Sequence, residues 1–264
     1  MAVDYSRYNH IRSQRAGAIL TLTMDHPPMN AAGFALHEEL SRIFYDVAQD
    51  DCDVVVLTGA GRAFSAGGDL DEMLGNCDRP ARMAEMMVRA PHIINAMLAL
   101  DVPVIARVNG HAMGLGATLA LLCDVAIMVD SAKIADPHVS MGLSPGDGGA
   151  MLWPLLIGYA RARHHLLTGD PLTGAEAATI GLIHCAVPAD ELDGAVDAYA
   201  QRLVKGATFA IKATKRSINL ALRAQAQSLA DAHAGIETLT LLSEDHREAI
   251  LSFKDKRPAT FKGR

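Results

Sequence analysis

Ala63-Phe64-Ser65-Ala66-Gly67-Gly68-Asp69-Leu70 and Val108-Asn109-Gly110-His111-Ala112-Met113-Gly114-Leu115-Gly116 carry the pattern that decides the fold. Each glycine-rich stretch follows an apolar run, Val54-Val55-Val56-Leu57 and Pro103-Val104-Ile105-Ala106-Arg107-Val108, of the kind that forms a buried strand. The second leads into Ala117–Leu122, which has helical character. A loop that passes from strand to helix leaves N–H groups unpaired at the helix start, where the helix dipole favours negative charge. Glycine allows sharp turns and close approach, so N–H groups from the two loops are expected to converge on one oxygen as an oxyanion hole.

Outward from these loops, strand and helix patterns alternate. Ile19–Met24 reads as a strand of an opening hairpin with its turn at Ala16-Gly17, and Leu36, Leu40, Ile43, Phe44 and Val47 recur at helical spacing. The stretch from Arg79 to Leu100 reads as a long helix, kinked or restarted at Pro91. Asp124–Val129 and Lys133–Ala135 supply further strands before the turn Gly142-Leu143-Ser144-Pro145-Gly146-Asp147-Gly148-Gly149. Thr173-Gly174-Ala175-Glu176 has capping-box spacing. Strand material ends near Val187, and helices are expected from Asp190 through Ala249. The fold class is α/β, divided into a core at 1–190 and a helical C-terminal region at 191–264.

The chain has 264 residues, half of them hydrophobic, which is enough for a full core. With 24 Lys and Arg against 30 Asp and Glu, the net charge of −6 offers no general attraction to nucleic acid or an anionic membrane. Cys52, Cys77, Cys123 and Cys185 form no CxxC pair and are expected as reduced, mostly buried thiols. Met1-Ala2-Val3-Asp4-Tyr5 lacks a basic segment followed by an apolar one, and no apolar run is long enough to span a bilayer. These features predict a cytoplasmic enzyme without a membrane anchor. The histidines lack metal-ligand spacing, so no metal is expected.

The two glycine stretches, together with Cys123-Asp124-Val125-Ala126 and Phe261-Lys262-Gly263, resemble the enoyl-CoA hydratase/isomerase (crotonase) superfamily along almost the whole chain. The resemblance implies a spiral of ββα units with a C-terminal trimerisation region, assembled as a homotrimer or a dimer of trimers. It implies an acyl-CoA substrate, with coenzyme A as part of that substrate and no permanently bound cofactor. It further implies that the N–H groups of Gly68 and Leu115 bind the thioester oxygen, and that Ala66, Gly67, Asp69, Leu70 and Gly114 line the substrate pocket. Lys254 and Lys262 are placed near the CoA phosphates by the same resemblance.

Hydratases of this family use two glutamates to hold one water, one accepting its proton and the other donating to the α-carbon. Here the matching positions are Thr118 and His138. A threonine hydroxyl is a poor base and serves to position water or substrate. His138, with an ordinary pKa of about 6.5, suits acid/base work. Asp147, nine residues on, is expected either to cap the next helix or to orient the imidazole as the third member of a triad does. The His138/Asp147 pattern resembles a divergent branch of the superfamily that hydrolyses C–C bonds in β-diketones, and His37 and Glu237 fall at polar active-site positions of that branch. Retention of Gly114 and Gly116 favours CoA thioesters. Three functions follow: hydration of an enoyl-CoA, hydrolysis of a β-dicarbonyl compound, and CoA binding by a catalytically reduced subunit.

Overall fold

The computed structural model describes residues 3–264. Met1 and Ala2, the start of the segment expected to lack a leader, lie outside the described residues. The hairpin is present: β1 (Ile11–Ala16) pairs antiparallel with β2 (Ile19–Met24). Helix α1 (Phe34–Val47) then crosses to β3 (Val54–Gly59), every residue of which is buried.

From β3 onward the chain repeats one unit: a strand in a large sheet, a short strand in a small sheet, then helix. The first unit is β3, β4 (Ala63–Ser65) and α2 (Leu70–Asn76). The second is β5 (Val104–Val108), β6 (His111–Met113) and α5 (Leu115–Leu122). The third is β7 (Val125–Val129), β8 (Lys133–Ala135), a 3₁₀ turn at His138–Met141 and α6 (Gly149–Thr168). With β9 (Leu172–Thr173) and β10 (Cys185–Val187), the large sheet has the order β1-β2-β3-β5-β7-β10, and the small sheet has the order β4-β6-β8-β9. Strands β3, β5 and β7 are mutually parallel, as are β4, β6 and β8, so successive units advance in one direction as a spiral.

Sequence and structure differ in two helices. The long stretch expected between Arg79 and Leu100 is α3 (Pro80–Met87) followed by α4 (Ala90–Ala99), with Pro91 in the first turn of α4, where its missing N–H costs nothing. Helix α2 had no expectation, because seven residues give too little periodicity; its start is fixed by Asp69, whose carboxylate accepts from the N–H groups of Asp71 and Glu72. The capping box on α7 (Gly174–Thr179) is formed by Thr173 and Glu176. Strand material closes with β9 (Leu172–Thr173) and β10 (Cys185–Val187).

The C-terminal region is α8 (Leu192–Val204), α9 (Thr208–Leu241) and α10 (Glu244–Asp255). Leu192, Val196 and Ala200 of α8, and Ala226 and Ala230 of α9, join the main hydrophobic core. Helix α9, 34 residues and about 51 Å long at 1.5 Å per residue, buries one stripe: Lys215, Asn219, Ala226, Ala230, Ala234, Glu237 and Leu241. Lys215 anchors that stripe, its ammonium lying 2.7 Å from Asp124 Oδ2 and donating to the Val102 carbonyl at 2.8 Å. Asp124 also accepts from the Val104 N–H at 2.7 Å, so one carboxylate of the family-like motif ties β5 and α9 together. Trp153 is fully buried, the four cysteines are free, and no helix among the described residues is long and apolar enough to cross a membrane.

Candidate active site

The two glycine loops meet. At Gly67, φ is +86°, which a side chain would strain, and an added Cβ would stand 2.8 Å from the Met113 carbonyl oxygen of the second loop. Reciprocally, a Cβ on Gly116 would stand 2.7 Å from the Ser65 carbonyl oxygen of the first. Only bare backbone fits at this crossing. Gly68 and Leu115, on either side of it, line one cavity, and the N–H of neither donates to a protein acceptor. Leu115 opens α5, so its N–H is one of the unpaired donors of a helix start.

That cavity has a volume of about 600 Å³. Gly67, Gly68, Gly114 and Leu115 form one side, and His138, Asp147, Glu237 and His37 contribute polar groups. Ala66 and Leu70 line it too, and Met73, Met86, Met87, Met113 and Met141 supply a deformable apolar wall. Met83 and Met97, from the same helices as Met86 and Met87 or the next, are buried in the core instead. Asp69 and Thr118, expected to bind substrate, are not among the lining residues: Asp69 caps α2, and Thr118 is wholly buried behind Asp147. Lys254 pairs with Asp71 at 2.5 Å and Lys262 with Glu244 at 3.3 Å.

His138 sits among three carboxylates. Its Nδ1 lies 2.5 Å from Asp136 Oδ1, and its Nε2 lies 3.7 Å from both Asp147 Oδ2 and Glu237 Oε1. The residue that orients the imidazole is therefore Asp136, two positions upstream, and Asp147 faces the opposite ring nitrogen. Sequence reasoning passed over Asp136 because it lies in an ordinary Asp-Pro-His turn; the signal was its place at the end of a buried strand. Asp147 does not cap α6 through its side chain in the usual way: Gly148 holds the cap position, and Asp147 is buried, accepting from Thr118 Oγ1 at 3.2 Å.

The turn Gly146-Asp147-Gly148-Gly149 is the hub of this cluster. A Cβ on Gly146 would fall 2.3 Å from the His233 carbonyl oxygen and 2.8 Å from Glu237 Cβ, both on α9. On Gly148 it would meet Thr118 Cγ2 at 2.7 Å, and on Gly149 it would meet Asp136 Oδ2 at 1.8 Å. Each glycine admits a different neighbour, and Asp147 sits at the centre.

Burial alone would lower the His138 pKa, but Asp136, Asp147 and Glu237 outweigh it and hold the ring well above its ordinary value. The three carboxylates thus favour the imidazolium, with Nε2 facing Asp147 and Glu237. Burial pushes the Glu237 carboxyl up to about 8, a rise opposed by His138 and reinforced by Asp147 and Asp136. Burial also raises Asp147, opposed by His138, the Thr118 hydroxyl and the Gly149 N–H. His37, from α1, is pushed down to about 4 by burial and by Arg89, so it presents a neutral ring. Asp136, His138 and Asp147 each offer a ligand atom within 4.8 Å of the others. The contact of Asp136 Oδ1 with Nδ1 is that of a hydrogen-bonded pair.

Residues 14–264 match the family model described as enoyl-CoA hydratase/isomerase. The chain is 33% identical over 260 residues to a probable enoyl-CoA hydratase of Rhodobacter capsulatus, covering 97% of this chain and 99% of that protein. Its structure resembles an enoyl-CoA hydratase/isomerase of Mycobacterium paratuberculosis, with a TM-score of 0.89 and 31% identity over 94% of this chain and 100% of that one. It also resembles a β-diketone hydrolase of the cyanobacterium Anabaena bound to (S)-3-oxocyclohexyl acetic acid, with a TM-score of 0.83 and 28% identity over 90% and 96% of the respective chains.

Proposed function

The chain belongs to the enoyl-CoA hydratase/isomerase family, and from that premise we propose that it acts on an acyl-CoA thioester, adding water across an α,β double bond. The observation that carries this reading is the shared cavity: two unpartnered backbone donors, Gly68 and Leu115, face the same space as the His138 cluster. The thioester oxygen accepts from both N–H groups. As the water oxygen bonds to the β-carbon, the π electrons move onto the thioester as an enolate, which these donors stabilise. One such donor contributes about 3 kcal/mol to a transition state.

Water is managed by His138 and Asp147. Their facing atoms are 3.7 Å apart, too far for a direct hydrogen bond and suited to a bridging water. Because the ring is held as a cation, the first proton acceptor is the Asp147 carboxylate, and His138 transfers the proton onward. His138 thus serves as a proton relay and charge stabiliser rather than as the resting base expected from the sequence. Exposed apolar residues on the C-terminal helices, Phe209, Leu239 and Phe253, support assembly as a homotrimer or a dimer of trimers.

A second reading, C–C bond hydrolysis in a β-dicarbonyl compound, is favoured by the likeness to the Anabaena β-diketone hydrolase. There the bridging water would attack a carbonyl carbon and an enolate would leave. Incubation with crotonyl-CoA and with a cyclic β-diketone separates the two. The expected result is loss of the enoyl-thioester absorbance and no ring opening. Ring opening alone transfers the function to hydrolysis, and CoA binding without turnover of either supports a catalytically reduced subunit.

A further inference from the structure

Asp147 and Glu237 flank the same ring nitrogen, and each accepts a backbone N–H that favours its ionised form, Asp147 from Gly149 and Glu237 from Gly146, but their remaining contacts differ. Asp147 accepts from the Thr118 hydroxyl, which stabilises its ionised form. Glu237, 4% exposed and lining the cavity, has one oxygen, Oε2, that is buried without a partner. An ionised carboxylate in that position would leave a charged oxygen unsolvated, whereas a carboxylic acid has an O–H to direct into the cavity. Glycine at 146 is what lets α9 lie against the turn closely enough to bring the two acids around one imidazole.

We propose that Glu237 donates the proton gained by the substrate's α-carbon, with Asp147 as its ionised counterpart and His138 as the bridge between them. The proposal rests on acyl-CoA hydration as the reaction. The water oxygen bonds to the β-carbon, its proton passes to Asp147, and the π pair moves to the thioester as the enolate. The enolate then re-forms the thioester carbonyl while the α-carbon bonds to the proton of Glu237. His138 Nε2–H, 3.7 Å from an oxygen of each acid, reprotonates Glu237 and is refilled from Asp147. The sum is one water added and every side chain restored. The paired acids that family hydratases carry at the positions of Thr118 and His138 are thereby rebuilt from a turn and α9.

Two acids set around one imidazole in different environments are the mark of an acid/base pair. Around Glu237 these environments are Asp136 and His138 from the segment after β8, Asp147 from the turn, His37 from α1 in the same cavity, and His246 from α10, which faces His138. With its carboxyl at about 8, Glu237 is an acid at neutral pH and loses that role as the pH rises through that value.

The test is Glu237→Gln assayed for crotonyl-CoA hydration, with butyryl-CoA affinity and melting temperature measured alongside. The expected result is a loss of kcat of at least a hundredfold, butyryl-CoA affinity within threefold, and Glu237→Asp recovering part of the rate. Wild-type kcat should fall above about pH 8, with that limb displaced in Glu237→Asp. A Glu237→Gln variant within fivefold of wild-type kcat overturns this role alone. Wild-type protein that binds butyryl-CoA and hydrates no enoyl-CoA overturns the reaction and this role with it.

Discussion

The glycine loops around Gly67 and Gly114 and the turn Gly146–Gly149 are both built on missing side chains, yet they do different work. In the loops, glycine lets two backbones cross, and the N–H groups of Gly68 and Leu115, which find no protein acceptor there, are the donors of the proposed oxygen site. In the turn, glycine lets three other segments approach Asp147, and the side chains gathered there come from the stretch after β8, from α5 and from α9. On the proposed reading, oxygen binding is a local property of two short stretches, whereas proton handling is assembled from positions as far apart as Thr118 and Glu237.

The largest effect should come from breaking the loop side. Gly67→Val puts a branched side chain at φ +86° and against the Met113 carbonyl, so hydration should fall at least a hundredfold, with butyryl-CoA affinity and thermal stability falling with it. Breaking the turn side should separate chemistry from binding. In Gly146→Ala the added methyl drives α9 from the turn, and the expected outcome is a kcat loss of about tenfold to a hundredfold with butyryl-CoA affinity within threefold, checked by kinetics and calorimetry. Equal losses of binding in both variants would mean that the two regions act as one.

A smaller perturbation sharpens the electrostatics. Asp136→Asn removes the carboxylate that does most to raise the His138 pKa, so the ring should titrate at a lower pH than in wild type, read from its NMR chemical shifts, with kcat reduced about tenfold. An unmoved titration would show that Asp147 and Glu237 suffice to hold the charge. The smallest effect is on stability. Folding raises the Glu237 pKa from 4.5 to about 8, so the folded chain binds the extra proton between those values and stability from this group declines as pH rises through that window. Glu237→Gln removes the decline, and its melting temperature relative to wild type should be higher at pH 9 than at pH 5.

How legible each region was follows from the same contrast. Strand, glycine loop and helix start are contiguous, so periodicity and φ requirements identified both loops and the repeating unit. His138 stands out by matching the position of the family's second glutamate, and Asp147 by completing a pattern that resembles the β-diketone-hydrolysing branch. Asp136 could not be assigned, because its importance comes from a 2.5 Å contact with a residue two positions away rather than from any spacing rule. In the sequence, Glu237 is marked only by the resemblance to the β-diketone branch, because its helix gives solvated and buried carboxylates the same local look. What distinguishes it in the structure is the stripe Ala226, Ala230, Ala234 and Leu241, whose small residues let α9 approach the core and leave Glu237 pointing inward. Asp69 and Thr118 show the converse: both stand in the right segment, and packing turns one into a helix cap and the other into a hydrogen-bond donor to Asp147.

The most direct test of an oxygen site made by the loops and a proton site made by the turn and α9 is a crystal structure with bound butyryl-CoA, an unreactive saturated thioester. The account predicts the thioester oxygen about 3 Å from the N–H groups of both Gly68 and Leu115, with the α-carbon facing Glu237 and the β-carbon facing Asp147. A thioester oxygen bound elsewhere, or an α-carbon turned away from Glu237, would contradict it.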